Sequence, residues 1–312
     1  MNKIIYKELI AFHPGYYIKD MIEAEGMSQD ELAKRLQTSS KNVSDLLKGK
    51  INLTDEMALR LSIVFGTSVS MWLNLNKGFI EEKLEIDRRM QEDVECELAK
   101  EIDYSFWVDL NLVEPMRKMT GKVRELQRYF RISSLEVLKK RDFLVQYNRT
   151  ASDIKDKDIL NANAWVQTAI NLANQMDTPS FDKKKLITIL PEIRELALEN
   201  PRDVQEKLKQ ILAECGVAFV VLPSLKHCNI NGAVKWLSKE KVLLAMNHTQ
   251  TPNDKFWFAL FHEIGHVMQQ RLKALIVSEN KEILEKDGLF ERLEAEANQF
   301  AEEQMNLIKN LN

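Results

Sequence analysis

Residues 27–50, MSQDELAKRLQTSSKNVSDLLKGK, decide the reading of the fold. Ser28, followed three residues later by Glu31, predicts a capping box that opens a helix. Leu32, Ala33 and Leu36 recur at helical spacing and give that helix an apolar face. A short polar turn follows, and Ser39 is placed to cap a second helix. There Val43, Leu46 and Leu47 point inward, which leaves Ser40, Lys41, Asn42 and Ser44 on the outer face. Gly49 ends the helix. The pair is a helix-turn-helix, and its outer side chains are of the short or hydrogen-bonding kind that suits a helix in the major groove. Lys48 and Lys50 are placed to reach phosphates, and Gln29, heading the first helix, to touch the duplex backbone. The candidate DNA-binding set is therefore Gln29, Ser39, Ser40, Lys41, Asn42, Ser44, Lys48 and Lys50. A small helical bundle used for protein contact has the same pattern. Charge does not separate the two readings, because residues 1–78 hold ten basic and nine acidic side chains.

Working outward, 312 residues exceed what one hydrophobic core usually takes, so two or three domains are expected. Their composition, 45% apolar and 29% charged, is that of a soluble globular protein. A net charge of −3 gives no gross attraction to nucleic acid or membrane, so DNA binding must come from a local patch. Cys96, Cys215 and Cys228 lie far apart without metal-type spacing, and so sparse and odd a set predicts a reducing cytoplasm rather than a disulfide framework. The opening residues lack the apolar core of a signal peptide, and no stretch approaches the roughly 18 apolar residues of a membrane span.

Three divisions are expected: 1–78, the helix-turn-helix domain of five helices; 79–180, a charged helical connecting region; and 181–312, an α+β region with a small sheet. The middle should hold helices over 79–102, 123–147 and 161–176. In the last part a helix at 204–215 leads into the apolar run 216–223, of strand type. Strands are expected at 232–237 and 241–247, joined by a hairpin turn, then helices at 256–272 and 289–308.

The segment HEIGH places His262 and His266 one helical turn apart on one face. Two imidazoles so spaced can bind one zinc ion, which lowers the pKa of a water towards neutrality. Glu263 would take the proton of that water as general base for attack on a peptide carbonyl. The flanks, FWFAL and VM, are apolar, so these polar groups need a partner when buried, and a metal supplies one. Two ordinary core histidines are the bland alternative. A third zinc ligand is sought in Glu291, Glu294 or Glu296. Glu294 is preferred and Glu296 is its rival; Asn298, four residues after Glu294, is placed to support a ligand histidine. All six tyrosines lie at or before Tyr147, so His227, His248, a backbone amide or the zinc must stabilise an oxyanion. Residues 241–247 are expected to offer a free strand edge to an extended substrate.

Residues 13–75 resemble the XRE-type DNA-binding domain of HigA-type antitoxins: His13-Pro14-Gly15 opens the match, Val43-Ser44 and Gly49-Lys50 sit inside it, and Trp72-Leu73-Asn74-Leu75 closes it. The resemblance implies a homodimer on palindromic double-stranded operator DNA, with a cognate toxin or repressor protein as partner. Beside Pro14-Gly15, His13 reads as a structural or capping residue. NDKFWFALFHEIGHVM followed by EAEANQFA resembles the ImmA/IrrE metallopeptidases, and NINGAVKWL with KVLLAMN resembles their small sheet. The middle, through NANAWVQTAI, is similar to long fusions of the two domains. That likeness implies a zincin-like fold, zinc on His262, His266 and Glu294, Glu263 as base and a protein substrate. A non-catalytic antitoxin and autorepressor, its zincin-like domain a sensor or toxin-binding module, is the alternative.

Overall fold

The computed structural model describes residues 2–140, 156–199, 201–228, 230–248, 253–269 and 289–310. They form two compact units, Met1–Glu97 and Leu98–Asn312.

The first unit begins with an antiparallel hairpin, β1 (Lys3–Tyr6) and β2 (Leu9–Phe12), which the sequence pattern does not announce. Its two-residue turn is Lys7-Glu8, with Lys7 at φ 52°, where Asn or Gly is the usual occupant. Ile4, Tyr6, Leu9 and Ala11 pack on Phe79 and Ile86 of the long helix α5 (Val69–Ala99). Tyr6 and Lys7 bond Asp93, and Glu8 pairs with Arg89 at 3.1 Å, so the hairpin is strapped along that helix.

Between them lie α1 (Pro14–Ala24), α2 (Gln29–Arg35), α3 (Ser40–Leu47) and α4 (Asp55–Val64). Each has a side-chain cap. The Gly15 amide donates to His13 Nδ1 at 3.0 Å, and Ser28, Ser39 and Thr54 accept from the third residue on. Only half of the expected capping box is seen, because the Glu31 carboxylate accepts from Arg35 at 2.6 Å. Leu32, Leu36, Val43, Leu46, Leu61 and Trp72 bury a common core. Five helices form here, as the pattern predicts. The boundary expected after residue 78 falls inside α5.

The second unit contains α6 (Ser105–Asp109), α7 (Met119–Phe130), a 3-10 turn at Leu135–Lys139, α8 (Asp156–Gln175), α9 (Lys183–Leu196) and α10 (Pro201–Ala213). Three strands follow, β3 (Val217–Pro223), β4 (Gly232–Trp236) and β5 (Val242–His248), and then helices α11 (Asn253–Gln269) and α12 (Leu289–Lys309). The helix expected over 123–147 ends at Phe130, where Arg131 takes the left-handed conformation, and residues 141–147 lie outside the described ones. The expected boundary after residue 180 falls in the loop between α8 and α9.

Helix α9 is absent from the sequence reading because Pro191 interrupts its pattern; Asp182 caps it, and Leu186, Leu190 and Ile193 are its buried face. Helix α8 is buried and polar. Its Asn163 amide donates to the carbonyls of Leu138 and Lys140, and Asn171 donates to that of Tyr129. These are the last carbonyls of the 3-10 turn and of α7, which would otherwise lack partners.

The sheet order is β3-β5-β4, with β3 parallel and β4 antiparallel to β5. The expectation of a free edge on 241–247 is therefore corrected: β5 is the central strand, bonded on both sides. The 238–241 turn folds β4 back onto it, Leu237 donating to Lys241 at 2.9 Å. Phe219, Trp236, Leu244, Trp257 and Phe261 make the core between sheet and helices.

Candidate functional site

In the first unit, α3 presents the outer face that its apolar spacing predicts. Gln29, Ser39, Ser40, Lys41, Lys48 and Lys50 are exposed, while Asn42 and Ser44 are half-buried. The Asn42 amide nitrogen is engaged within the protein, donating to Thr38 Oγ1 at 2.9 Å. Lys50 stands 4.0 Å from Asp45, close enough to be steered and too far for a firm bond.

Two residues that hold this face were not singled out in the sequence. Arg60 of α4 donates to the carbonyls of Leu36 and Gln37 at 2.6 and 3.0 Å and so fixes the turn between α2 and α3. Gly15 lets α1 cross α3. A Cβ there would lie 2.2 Å from the Leu46 carbonyl oxygen and 2.9 Å from Leu47 Cα.

In the second unit, the helix carrying HEIGH packs against the acidic last helix. Gly265 sets the approach: a Cβ on it would lie 3.2 Å from Ala297 Cα. At that separation the Glu294 carboxylate reaches both histidines, at 3.5 Å from His262 Nε2 and 3.1 Å from His266 Nε2. The two Nε2 atoms are 3.0 Å apart. Among the described residues these three form the group able to hold a metal ion. Glu291 and Glu296 are exposed, and Glu296 lies 3.5 Å from the Gln269 amide.

The rings are held from behind. His262 Nδ1 lies 2.9 Å from Asn298 Oδ1, and His266 Nδ1 lies 3.1 Å from Gln269 Oε1. With the proton on each Nδ1, both nitrogens donate outward, and both Nε2 lone pairs face inward. Two lone pairs at 3.0 Å repel unless a proton or cation lies between them. Zinc–nitrogen bonds of about 2.0–2.1 Å in a tetrahedron put neighbouring ligand atoms about 3.4 Å apart, so the donors, 3.0 to 3.5 Å apart, fit such an ion after shifts of a few tenths of an ångström. Gln269, three residues after His266, is a support the sequence reading missed.

Glu263 stands beside the cluster. Burial pushes its carboxyl up to about 7, with His266 opposing and Glu294 adding to the rise. Burial and the neighbouring His266 push His262 down, against Glu294 and Asn298. For His266 burial acts downward, but Glu294, Glu263 and Gln269 outweigh it and the net shift is upward. Gly232 of β4 clears the space for Glu263: a Cβ there would lie 2.7 Å from its Oε1 and 2.9 Å from its Cδ. The sheet edge next to the cluster is thus β4. His227 lies in the β3–β4 loop at φ 62°, outside the cluster, and the His248 side chain lies outside the described residues.

The helix-turn-helix family model matches residues 18–72. The Escherichia coli (strain K12) protein YddM, an uncharacterized HTH-type transcriptional regulator, is 39% identical over 66 residues, which make up 21% of this chain and 70% of that protein. The chain belongs to the helix-turn-helix transcriptional regulators. Solved structures similar to this regulator include an addiction module antidote protein of a HigA family from Coxiella burnetii. It is 32% identical, covers 23% of this chain and 80% of its own, and superposes with a TM-score of 0.23. The antitoxin HigA of Pseudomonas aeruginosa, solved with the higBA promoter, is 27% identical over 26% of this chain and 89% of its own, with a TM-score of 0.25. The chemistry of the regulator's second unit rests on its own side chains.

Proposed function

We propose that this regulator is an antitoxin-like repressor that binds palindromic operator DNA through α3 and cleaves a protein through a zinc-dependent site of ImmA/IrrE kind in its second unit. The observation that carries the enzymatic half is the meeting of His262, His266 and Glu294, with Glu263 alongside. The DNA half is carried by membership of the helix-turn-helix regulators together with the exposed face of α3. The palindromic operator follows from the HigA-type resemblance of residues 13–75.

In this reading His262, His266 and Glu294 hold the zinc ion, and Asn298 and Gln269 keep both Nε2 atoms turned towards it. When bound, zinc supplies Lewis-acid polarisation of a carbonyl and acidifies water. Glu263 holds and returns the proton at its carboxylate, and its position is kept open by Gly232. A buried carboxylate beside the ligand histidines is placed to take and give a proton. The outer edge of β4 offers backbone groups to an extended peptide.

A second copy would cover Leu59 and Ile63, 50% and 74% exposed and one turn apart on α4. The protein partner, a cognate toxin or a repressor, is read from the two resemblances, as is a cytoplasmic setting. No described helix is long and apolar enough to cross a membrane.

The test is metal analysis of the purified full chain alongside Glu263→Gln and His262→Ala. About one zinc per chain is expected in the wild type and in Glu263→Gln, and almost none in His262→Ala. Loss of regulatory effect in Glu263→Gln with zinc retained supports hydrolysis. An unchanged effect leaves the second unit a sensor or binding module, and absence of zinc from the wild type ends the enzymatic reading.

A further inference from the structure

Residues 117–140 carry eight basic and two acidic side chains, a net charge of +6 within a chain whose total is −3. Helix α7 organises the first half of this surplus. Val123, Leu126 and Phe130 form its buried face. Arg124 and Arg128, one turn apart, lie on the opposite, exposed face. Arg117 just before the helix and Arg131 just after it are exposed as well. Glu125, the partner of Arg128, is only 12% exposed while Arg128 is 71% exposed, so the basic member of the pair faces solvent. Lys122 lies 5.4 Å from the centre of the Tyr104 ring, which steadies the near end of the same surface.

Such a surface carries a local positive potential that attracts a polyanion. Guanidinium groups suit phosphate, which they bind in a planar, two-pronged manner. Twelve helical residues span about 18 Å, which matches about five phosphates of one DNA strand at a rise of about 3.4 Å. We infer that the arginine face of α7 is a second DNA contact, gripping the phosphate backbone independently of base sequence. This rests on the DNA-binding reading of the first unit and extends it to the second.

The experiment measures binding of the full chain to a fluorescein-labelled mixed-sequence 40-base-pair duplex, by anisotropy across a range of salt concentrations. Wild type is compared with the triple variants Arg117→Gln/Arg128→Gln/Arg131→Gln and Arg117→Lys/Arg128→Lys/Arg131→Lys, and with Lys41→Ala/Asn42→Ala. Circular dichroism verifies that each is folded, as expected for exposed positions. Each phosphate contact contributes about 0.9 to the slope of log K against log salt, so the Gln variant is expected to lose about 2.7 in slope and the Lys variant to keep most of it. A duplex selected from a random library by the wild type tests α3 separately, since Lys41→Ala/Asn42→Ala should abolish its preference over mixed sequence.

A Gln variant with the wild-type slope overturns the α7 contact while leaving α3 intact, and points the face at an acidic protein instead. A lowered slope with no sequence preference for α3 to lose supports the α7 contact and removes the operator reading. A wild type that binds neither duplex overturns both.

Discussion

Gly15→Ala sets two physical effects against each other, and the structure decides the sign. Helix propensity favours alanine by up to about 1 kcal/mol within a helix. The added Cβ, however, would lie 2.2 Å from Leu46 O, 2.9 Å from Leu47 Cα and 3.0 Å from Leu46 C. All three are backbone atoms of α3, so no side chain can swing away, and α1 and α3 must separate. Overpacking of this kind costs about 1–3 kcal/mol, and a backbone clash belongs at the upper end, so the net loss expected is about 2 kcal/mol. Hydrogen exchange followed by mass spectrometry reads this locally in the full chain. Amides of α1 and α3 should exchange about 30-fold faster, since about 1.4 kcal/mol is tenfold. Gly78→Ala is the counterpart. It lies in α5 with nothing within 4 Å of the added carbon, so α5 should gain up to about 1 kcal/mol there. Protection of α1 and α3 that is unchanged or increased in Gly15→Ala would refute the claim that backbone contact sets their crossing.

Further outcomes follow from the second unit. Gly232→Ala should leave zinc content close to wild type, because the added carbon meets Glu263 and none of the three ligand side chains. The regulatory effect should fall as far as in Glu263→Gln, since about 1 Å of displacement can cost about a hundredfold in rate. Adding zinc to a metal-free sample at about a thousand times its dissociation constant should stabilise the unit by about 4 kcal/mol. For a unit of this size that is a rise in melting temperature of about 8–16 °C, absent in His262→Ala, and equal shifts in both proteins would contradict the ligand assignment. Burial pushes the thiols of Cys215 and Cys228 up to about 11 from an ordinary 9. The folded state therefore keeps protons that the unfolded chain releases, and stability should fall as pH rises from about 9 to 11. Neither thiol should react with a disulfide reagent at pH 8 in the native protein.

Much of the first unit was legible because its signals are local. Ser28 and Ser39 cap the helices they precede, and the apolar spacing of Leu32, Leu36, Val43 and Leu46 names the buried faces. The hairpin at the start was not legible, since Lys7-Glu8 adopts a tight turn without the usual turn residues and is held by Asp93 and Arg89, some eighty positions away. Helix α9 hid behind Pro191. Around the candidate site, the spacing of His262 and His266 is a local fact of the sequence. Glu291, Glu294 and Glu296 differ only in which way the last helix is rotated, and close packing of Gly265 on Ala297 sets that rotation. Strand pairing is the least local feature of all, and nothing within residues 241–247 says that neighbours occupy both sides.

The amide nitrogens of Asn163 and Asn171 in α8 donate to main-chain carbonyls at the ends of neighbouring elements. A carbonyl survives almost any exchange of the residue that bears it, whereas no other side chain reproduces the reach and donor of Asn163 or Asn171. Sequence drift should therefore be lopsided in this unit. Leu138 and Lys140 are free to vary as far as these bonds are concerned, while the helix they lean on is pinned in place.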